Sequence, residues 1–330
     1  MPTHACPDCG RVHEIYVAPP PVTPPPVTPP PSGDIWYAKN FGTIDVNGST
    51  DCTATVQKAV EACTKAGGGI VQLPAGRLRT YAAHTVCPDV GGSIDLKDGV
   101  HLRGEGVGKT FIIGTRANIH PIAAGGRTNI GVSDLEIYGT ASGIDGVKFY
   151  GCNDIVIRNV VAHDLYQGIA CYGAHNALIE DCTVYKCTDG GINTGEPALG
   201  VQQGLGNLVR RCVAHDCARG FKFPGWPPPQ TSPKVASRAN GTSYEDCTAT
   251  NNTCGFYAEY AQNGSWTDCV SNGVKSGMHP YELRGLIGGV FTRCTGSGAT
   301  PVIFPCTWSD VLKKDGACAR IVVDGKTLVA

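Results

Sequence analysis

Side chains that could transfer protons or stabilise negative charge recur at equivalent positions of a sequence repeat in the second half of the chain. The candidates for catalysis are Lys222, Tyr257, Glu259 and His279. Elimination on a uronic-acid polymer needs a base that removes the proton beside the sugar carboxylate. It also needs a cation that stabilises the enolate-like charge that develops. The sequence therefore favours His279 or Tyr257 as the base and Lys222 as the charge stabiliser.

Two glutamates offer a different chemistry. Glu259 and Glu282 lie at nearly equivalent points of successive repeats. A glycoside hydrolase needs two carboxyl groups about 5 to 9.5 Å apart, and residues on neighbouring coils of a stacked repeat could meet that condition. Hydrolysis by a carboxylate pair therefore stays open beside elimination.

Aromatic and hydrogen-bonding residues at the same outward phase could line a trough for an extended sugar chain. Aromatic rings such as tyrosine and tryptophan offer an apolar face together with a polar edge. The residues predicted to bind substrate are Lys148, Tyr150, Tyr172, Asn193, Trp226, Tyr281 and Glu282. Any exposed sheet carries residues of these types, and Trp226 could equally plug a gap or contact another subunit. Sequence alone leaves both interpretations open.

These side chains are positioned by a repeat that restarts at a glycine. The steps between successive openings are 22, 23, 29, 35 and 22 residues, and the openings are Gly146, Gly168, Gly191, Gly220, Gly255 and Gly277. A repeat of about 20 to 25 residues with short strands can bury its apolar face only by stacking on its neighbours. Because strand side chains alternate between the two faces, the residue after each glycine should point inward. These residues are Val147, Ile169, Ile192, Phe221, Phe256 and Met278.

A second column of the repeat consists almost entirely of cysteines. After Val160 it continues through Cys182, Cys212, Cys247, Cys269 and Cys294. A reduced, buried cysteine packs as a small apolar residue, so we expect this column inside the solenoid. The chain has 17 cysteines, an odd number. Disulfides stay an alternative for the pairs Cys182/Cys187, Cys212/Cys217 and Cys306/Cys318.

The N-terminal segment carries a compact set of nitrogen and sulfur ligands. His4, Cys6, Cys9 and His13 have a spacing that suits tetrahedral zinc, although no second C-x-x-C completes a ribbon. A zinc-knuckle-like segment over residues 1–17 is one interpretation and a flexible tail is the other. Residues 18–34 are a proline-rich linker, which would extend as polyproline II and hold a docking element away from the body.

Turn residues suggest a second metal. The pairs His163-Asp164 and His215-Asp216 recur at equivalent turns, and Asp189 lies nearby. Calcium is one interpretation of these side chains, and a structural role in the turns is the other.

The body of the chain, residues 35–330, opens on an amphipathic helix. Val56, Val60 and Cys63 form its apolar stripe. We expect Asp51 to cap its N-terminus and the glycines of residues 67–69 to end it.

The same passage carries a resemblance to a known family. The segment Asn40-Phe-Gly, the capped helix with Gln57, and Gly67-Gly-Gly-Ile-Val-Gln-Leu-Pro-Ala-Gly76 resemble the opening of pectate-lyase-like right-handed parallel β-helix proteins. The likeness covers roughly residues 38–105 and continues into the repeats. It implies an all-β, right-handed, single-stranded parallel β-helix with an N-terminal capping helix and a C-terminal cap from about residue 302.

This family includes polysaccharide lyases, pectinase-like hydrolases, epimerases and phage tailspikes, so the resemblance implies a carbohydrate partner without specifying a reaction. The paired-aspartate and Gly-His-Gly patterns of the hydrolases are absent, as is the R-x-x-R pattern of pectate lyases. A lyase acting on an acidic polysaccharide is the leading expectation. The alternative is a tailspike-like attachment protein, a homotrimer that binds glycans without cleaving them.

Composition excludes other classes of function. The net charge is −1, so the chain lacks the excess of positive charge that is typical of nucleic-acid binding. No run of the sequence approaches the roughly 18 apolar residues of a membrane span. The N-terminus shows neither a basic start nor an apolar stretch of the secretory type. We expect the protein to act outside the cell or on a virion.

Overall fold

A computed structural model gives the structure. It describes residues 3–5, 12–14, 33–87, 90–195, 205–225, 239–259, 261–274, 280–284, 286, 288–296, 321–323 and 326–329. His279, Met278 and Trp226, together with Cys6, Cys9, Cys306 and Cys318, lie outside these residues. The predictions made for them therefore stay predictions.

One α-helix, α1 (Thr53–Lys65), covers the start of the body, and a short 3₁₀ helix, Ala38–Phe41, precedes it. The N-cap is Cys52 rather than Asp51. Asp51 instead lies one residue earlier, where its Oδ1 accepts a hydrogen bond from Thr53 N at 3.0 Å. Gln57 in the helix bonds both the N–H and the C=O of Asp95, at 2.9 and 3.1 Å. The helix is thereby fixed over the end of the first coils, as the resemblance implied.

The described strands are short and follow one another closely. The first group is β1 Thr3–Ala5, β2 Val12–Glu14, β3 Ile35–Tyr37, β4 Asn47–Asp51, β5 Gly69–Gln72, β6 Gly76–Thr80, β7 His84–Cys87, β8 Val90–Asp95, β9 Val100–Arg103, β10 Thr110–Gly114 and β11 Ile119–Gly125. The central group is β12 Thr128–Gly139, β13 Asp145–Tyr150, β14 Asn153–His163, β15 Gln167–Tyr172, β16 His175–Glu180, β17 Thr183–Tyr185, β18 Gly190–Asn193, β19 Asn207–Arg210, β20 Val213–His215 and β21 Arg219–Pro224. The last group is β22 Ala239–Asn240, β23 Thr242–Glu245, β24 Thr248–Thr250, β25 Cys254–Glu259, β26 Ala261–Gln262, β27 Ser265–Thr267, β28 Val270–Asn272, β29 Tyr281–Arg284, β30 Val290–Thr292, β31 Thr295–Gly296, β32 Ile321–Val323 and β33 Lys326–Val329.

The strands stack coil over coil in parallel. One sheet has nine strands in the order β29-β25-β21-β18-β15-β13-β11-β8-β7, and its strands from β8 to β29 pair in parallel. A larger sheet of 20 strands takes the remaining two segments of each coil. Of the C-terminal cap predicted from about residue 302, the structure describes β32, which is parallel to β30, and β33, which is antiparallel to β32. The predicted all-β parallel solenoid with one capping helix is confirmed.

The residues expected to point inward do so. The side chains that follow the repeat glycines are at most 1% exposed, namely Val147, Ile169, Ile192, Phe221 and Phe256. The glycines themselves stack closely. A Cβ on Gly220 would lie 2.7 Å from the carbonyl oxygen of Gly255, and one on Gly146 would lie 2.7 Å from that of Gly168. The repeat therefore needs glycine wherever another coil follows.

The opening position predicted for the last repeat is wrong. We expected Gly277 to open it, but Phe256 is in register with Tyr281, and Phe256 N donates to the carbonyl oxygen of Pro280 at 2.9 Å. Pro280 thus takes the place predicted for Gly277. Consequently Tyr281, predicted to bind substrate, points inward instead. It is 4% exposed and stacks on Phe256 with ring centroids 5.0 Å apart.

The cysteine column lies in the core as predicted. Cys212, Cys247 and Cys269 are fully buried, and their thiols form a ladder from coil to coil with Cys182 and Cys294. Backbone bonds fix the register, for example Val213 N to Cys182 O at 2.9 Å. The thirteen cysteines whose state the structure describes are free. The suggested bridges Cys182/Cys187 and Cys212/Cys217 are therefore wrong in this structure.

Asparagine, aspartate and arginine occupy the turn between the two segments of the larger sheet. Their φ values lie between 50° and 57°, a left-handed conformation that asparagine and aspartate adopt more readily than most residues. The column is Asp134, Asn159, Asp181, Arg211, Asp246, Asp268 and Arg293. Asn159 Nδ2 donates to Asp134 Oδ1 at 2.8 Å, so side chains of successive turns also bond to each other.

No helix in the described part of the chain is long and apolar enough to cross a membrane.

Candidate functional site

The outer face of the nine-stranded sheet carries most of the predicted site residues. Register pairs place them in columns, one residue per coil. The central column is Asp95, Ala123, Lys148, Ala170, Asn193, Lys222, Tyr257 and Glu282. Neighbouring coils are about 4.8 Å apart, so this column runs the length of the sheet. Its polar residues divide into two clusters.

The first, which we call the Lys148 cluster, contains His120, Asp145, Lys148, Gln167 and Tyr172. Lys148 Nζ donates to Asp145 Oδ2 at 2.6 Å and lies 4.5 Å from the centroid of the Tyr172 ring. Tyr172 OH accepts a hydrogen bond from Gln167 Nε2 at 2.6 Å. Two predicted substrate-binding residues, Lys148 and Tyr172, are therefore brought into contact.

A buried histidine supports this cluster from the preceding coil. His120 Nδ1 accepts a hydrogen bond from Asp145 N at 2.9 Å and lies 3.8 Å from the Asp145 carboxylate. Burial, with the nearby positive charge of Lys148, lowers the pKa of His120 to about 3. The imidazole is therefore neutral near pH 7, and it holds the Asp145 backbone in place as an acceptor.

Asn193 links the two clusters. Its Nδ2 donates to Gln167 Oε1 at 2.9 Å, and its Oδ1 accepts from Gly195 N at 3.0 Å. The side chain is fully buried. In this structure its amide already bonds within the protein, and its role as a direct ligand for substrate stays a prediction.

The second cluster, the Tyr257 cluster, contains Asp189, Arg219, Lys222, Tyr257, Glu259 and Arg284. Asp189 holds two cations side by side, with Arg219 Nη1 at 2.9 Å from Oδ1 and Lys222 Nζ at 2.7 Å from Oδ2. Lys222 is only 5% exposed, and it packs over Gly190, where a Cβ would lie 2.6 Å from Lys222 Cδ.

Tyr257 lies against two guanidinium groups. The guanidinium carbon of Arg219 is 4.5 Å from the centroid of its ring and that of Arg284 is 5.7 Å away. The Tyr257 hydroxyl donates to Glu259 Oε2. Burial and the adjacent Glu259 carboxylate raise the pKa of Tyr257 well above its usual value. The phenol is therefore protonated at neutral pH and the carboxylate beside it is the acceptor.

The two glutamates proposed as a hydrolytic pair are not in register. Glu259 is opposite Arg284, while Glu282 is opposite Tyr257 and contacts Arg284. Arg284 thus lies beside both carboxylates. Tyr150 is partly exposed and in register with Tyr172, so it remains on the outer face as expected.

Sequence reasoning missed four titratable members of these clusters: His120, Asp145, Arg219 and Arg284. Asp145 and Arg219 occupy one further outward column, three residues before Lys148 and Lys222. An alternation of two residues does not predict that column, because Asp145 and Lys148 are three residues apart in the sequence. Polar residues at this position in three of the repeats, Asp145, Gln167 and Arg219, were the available signal.

The metal predictions gain little from the structure. His4 and His13 are register partners in the two-stranded sheet of β1 and β2, and zinc there stays a prediction. His163 Nδ1 and His215 Nδ1 each contact the aspartate that follows, at 2.6 and 2.7 Å, and both rings stack on Tyr185. Within the described ranges, no three His, Cys, Asp or Glu side chains group as a metal site. Calcium likewise stays a prediction.

Comparison with known families agrees with the coil geometry. A family model described as "Right handed beta helix region" matches residues 99–265, which is just over half of the chain. The chain belongs to the right-handed β-helix family. Parallel strand pairing continues before residue 99 and after residue 265, so the β-helix is longer than the matched segment.

Curated relatives of this β-helix come from Azotobacter vinelandii. Mannuronan C5-epimerase AlgE1 is 38% identical over 119 residues, which are 34% of this chain and 8% of the relative. Alginate lyase 7 is 35% identical over 115 residues, which are 33% of this chain and 11% of the relative. The chain therefore spans only about a tenth of the length of these relatives.

Solved structures share the fold at low sequence identity. The A-module of mannuronan C-5 epimerase AlgE6 from A. vinelandii has a TM-score of 0.56 at 17% identity, covering 87% of this chain and 79% of that one. PfbA, a surface adhesin of Streptococcus pneumoniae, has a TM-score of 0.63 at 12% identity, covering 88% and 77%. The tailspike of the Escherichia coli bacteriophage HK620, solved with a pentasaccharide, has a TM-score of 0.55 at 15% identity, covering 87% and 56%.

Proposed function

We propose that this β-helix is a polysaccharide lyase that acts on a uronate-containing polymer along the outer face of its nine-stranded sheet. The observation that carries the proposal is the contact between the Tyr257 hydroxyl and Glu259, flanked by the guanidinium groups of Arg219 and Arg284. An acid, a base and two cations for a carboxylate are what elimination from a uronate requires.

In the proposed reaction, Glu259 removes the proton from C5 of the sugar. The electron pair of the C5–H bond moves into the carboxylate, whose charge Arg219 and Arg284 stabilise. The C4–O bond then breaks, a C4=C5 double bond forms, and the Tyr257 hydroxyl gives its proton to the departing oxygen. Asp189 positions Arg219 and at the same time neutralises Lys222. The side chains of Arg219 and Arg284 are 36% and 42% exposed, whereas that of Lys222 is 6% exposed. This mechanism therefore gives the two arginines the charge-stabilising role, and the role predicted for Lys222 stays a prediction.

The contact between acid and base favours elimination over epimerisation. Because the Tyr257 hydroxyl and Glu259 touch, both groups approach a bound sugar from one side. Elimination suits that arrangement when the C5–H and C4–O bonds share one face of the ring. Epimerisation instead needs a proton to leave one face of C5 and return to the other. The substrate class is therefore a uronate with both bonds on the same face.

The relatives support an acidic polysaccharide as the partner. Their names specify mannuronan C5-epimerisation and alginate cleavage, and both reactions begin by breaking the C5–H bond of a uronate. The matching segments cover about a third of this chain. We accordingly propose that the protein acts outside the cell or as part of a virion, where it would meet such polymers.

The test is turnover on alginate, pectate and hyaluronan in D2O, followed by ultraviolet absorbance of the unsaturated product and by NMR of the sugar protons. We expect absorbance to rise with at least one polymer. Tyr257→Phe and Glu259→Gln should lower turnover by about 10² to 10⁴-fold. Tyr185→Phe, on the other sheet, is the matched control and should leave turnover unchanged. Incorporation of deuterium at C5 without a rise in absorbance would show epimerisation instead of elimination. No reaction with any polymer would contradict both.

A second candidate function is glycan attachment without cleavage. It is favoured by the low exposure of Tyr257 and Lys222, 4% and 5%, and by the internal pairing of the charges around them. In that case a homotrimer is expected from the tailspike-like interpretation. Light scattering that shows a trimer, together with polymer binding and no turnover, would establish it.

A further inference from the structure

A cavity on the larger sheet lies away from the two clusters of the candidate site. It measures about 200 Å³, and its walls are Ile70, His101, Arg103, Val132, Ser133, Asp134, Val156 and Arg158. They lie on β5, β9, β12 and β14, and the side chain of Val132 belongs to the core beneath the other residues. None of them is on the nine-stranded sheet.

The cavity exists because one coil carries small residues where its neighbours carry large ones. One outward column runs Ile70, His101, Gly131, Val156 and the next runs Gln72, Arg103, Ser133, Arg158. On β12 these positions are glycine and serine. Since coils are about 4.8 Å apart, the backbones of the larger residues on either side are roughly 10 Å apart, which leaves a notch one coil wide.

Arg103 presents unused hydrogen-bond donors to this notch. Its Nε donates to Gln72 Oε1 at 2.8 Å, while its terminal nitrogens have no partner among the described residues. Arg158 on the far side is held by Glu180 through Nε and Nη2. The Asp134 carboxylate accepts from Ser133 Oγ at 2.9 Å and from Asn159 Nδ2 at 2.8 Å. The free donors in the notch are therefore cationic, and its acidic group is already bonded.

His101 adds a neutral acceptor. It is 6% exposed, and burial lowers its pKa, so the ring is uncharged at neutral pH. Nε2 lies 3.4 Å from Asn129 Oδ1, which leaves Nδ1 as the acceptor. Nδ1 lies 2.3 Å from the place a Cβ on Gly131 would occupy, so it is over the glycine at the floor of the notch.

We propose that this notch is a second carbohydrate subsite that holds one carboxylated sugar ring. Arg103 binds the carboxylate, His101 accepts a hydrogen bond from a hydroxyl group, and Ile70 and Val156 pack against the apolar face of the ring. A mainly apolar lining with a few convergent polar groups is typical of ligand sites. The proposal rests on the proposed function in one respect, namely that the polymer is acidic. A subsite on this surface would anchor a part of the polymer that is not being cleaved.

The test is isothermal calorimetry with sodium glucuronate, glucose, sodium acetate and sodium sulfate on the full chain. Ser133→Leu fills the notch and keeps the Arg103 guanidinium, whereas Arg103→Met removes the free donors. Thr267→Leu, in the same outward column, and Arg293→Met, at another exposed arginine, are the matched controls. We expect glucuronate to bind the wild-type protein and both controls, and at least tenfold more weakly to the two notch variants.

Equal glucuronate binding by wild type and Ser133→Leu, or no binding to wild type, would overturn the proposal. Sulfate or acetate binding as tightly as glucuronate would also overturn it, since an anion site would then suffice. Turnover separates this result from the proposed function. Ser133→Leu should cleave short oligosaccharides at the wild-type rate and show a higher KM on polymer. Glucuronate binding at the notch without any turnover would contradict the lyase alone.

Discussion

Lys222 Nζ donates a hydrogen bond to Asp189 Oδ2 at 2.7 Å, although the lysine is only 5% exposed. Asp189 binds Arg219 with its other oxygen, so one carboxylate balances two cations of adjacent columns. A buried charge whose countercharge is removed is strongly destabilising, whereas replacing a buried charge by an apolar side chain of similar shape often costs little. The two halves of this pair should therefore respond differently to mutation.

Asp189→Asn should lower the free energy of unfolding by about 3 kcal/mol, because the Lys222 ammonium stays buried without its carboxylate. Lys222→Met should cost about 1 kcal/mol, since Asp189 keeps Arg219. Urea unfolding of both variants measures the difference. Equal losses of unfolding free energy in the two variants would mean that the hydrogen bond between Lys222 and Asp189 determines the stability, rather than the cost of a buried charge without its countercharge.

Tyr281 should behave as a core residue. Its hydroxyl donates to Cys269 O at 2.8 Å, so Tyr281→Phe should cost about 1 kcal/mol. Tyr281→Ala should cost about 3 to 5 kcal/mol, as for other buried aromatic rings. Tyr150→Ala, on the partly exposed outer face, is the control and should change stability by about 0.5 kcal/mol or less. Unfolding energies in the reverse order would restore the original assignment of Tyr281 to the sugar-binding face.

The phase of Tyr281 shows where the repeat can be read from sequence and where it cannot. Gly146, Gly168, Gly191, Gly220 and Gly255 are predictable because each Cβ would collide with the coil that follows. Among the described strands β29 is the end strand of its sheet, so no described strand stacks its backbone on position 280 and proline fits there. The sequence signal disappears at the rung where its physical cause disappears, so the glycine spacing alone points to Gly277.

The partners of the site residues were less predictable than the fold. Alternation correctly placed Lys222 and Tyr257 on one column, because strand geometry alone determines it. It could not show that Asp189 neutralises Lys222, since that aspartate lies just before β18 and 33 residues away in sequence. Nor could it find Arg219, whose column departs from the two-residue period. Charge pairing across coils depends on the length of each connection, which the repeat does not fix.

The cysteine ladder should be protected and unbridged. Cys182, Cys212, Cys247 and Cys269 are at most 1% exposed, and Cys87 is partly exposed. We expect iodoacetamide to label Cys87 in the native protein and to label the ladder only in denaturant, as mapped by mass spectrometry. A ladder cysteine that is labelled in denaturant only after reduction would be in a disulfide, against this structure.

His120 should make the protein sensitive to acid. Its pKa is about 3 in the folded chain and near 6.5 when unfolded. Between these values the unfolded state binds a proton that the folded state does not, so stability falls as the pH is lowered from 6.5 towards 3. One such group contributes up to about 1.4 kcal/mol per pH unit within that window. The groups facing the ring are Asp145 and Lys148.

His120→Asn keeps an acceptor for Asp145 N but does not titrate in this range. Its unfolding free energy, measured by urea at pH 7, 6, 5 and 4, should therefore fall less steeply on acidification than that of the wild type. His84→Asn, at an exposed position, is the matched control and should keep the wild-type slope. Identical slopes for wild type and His120→Asn would show that folding does not lower the pKa of His120.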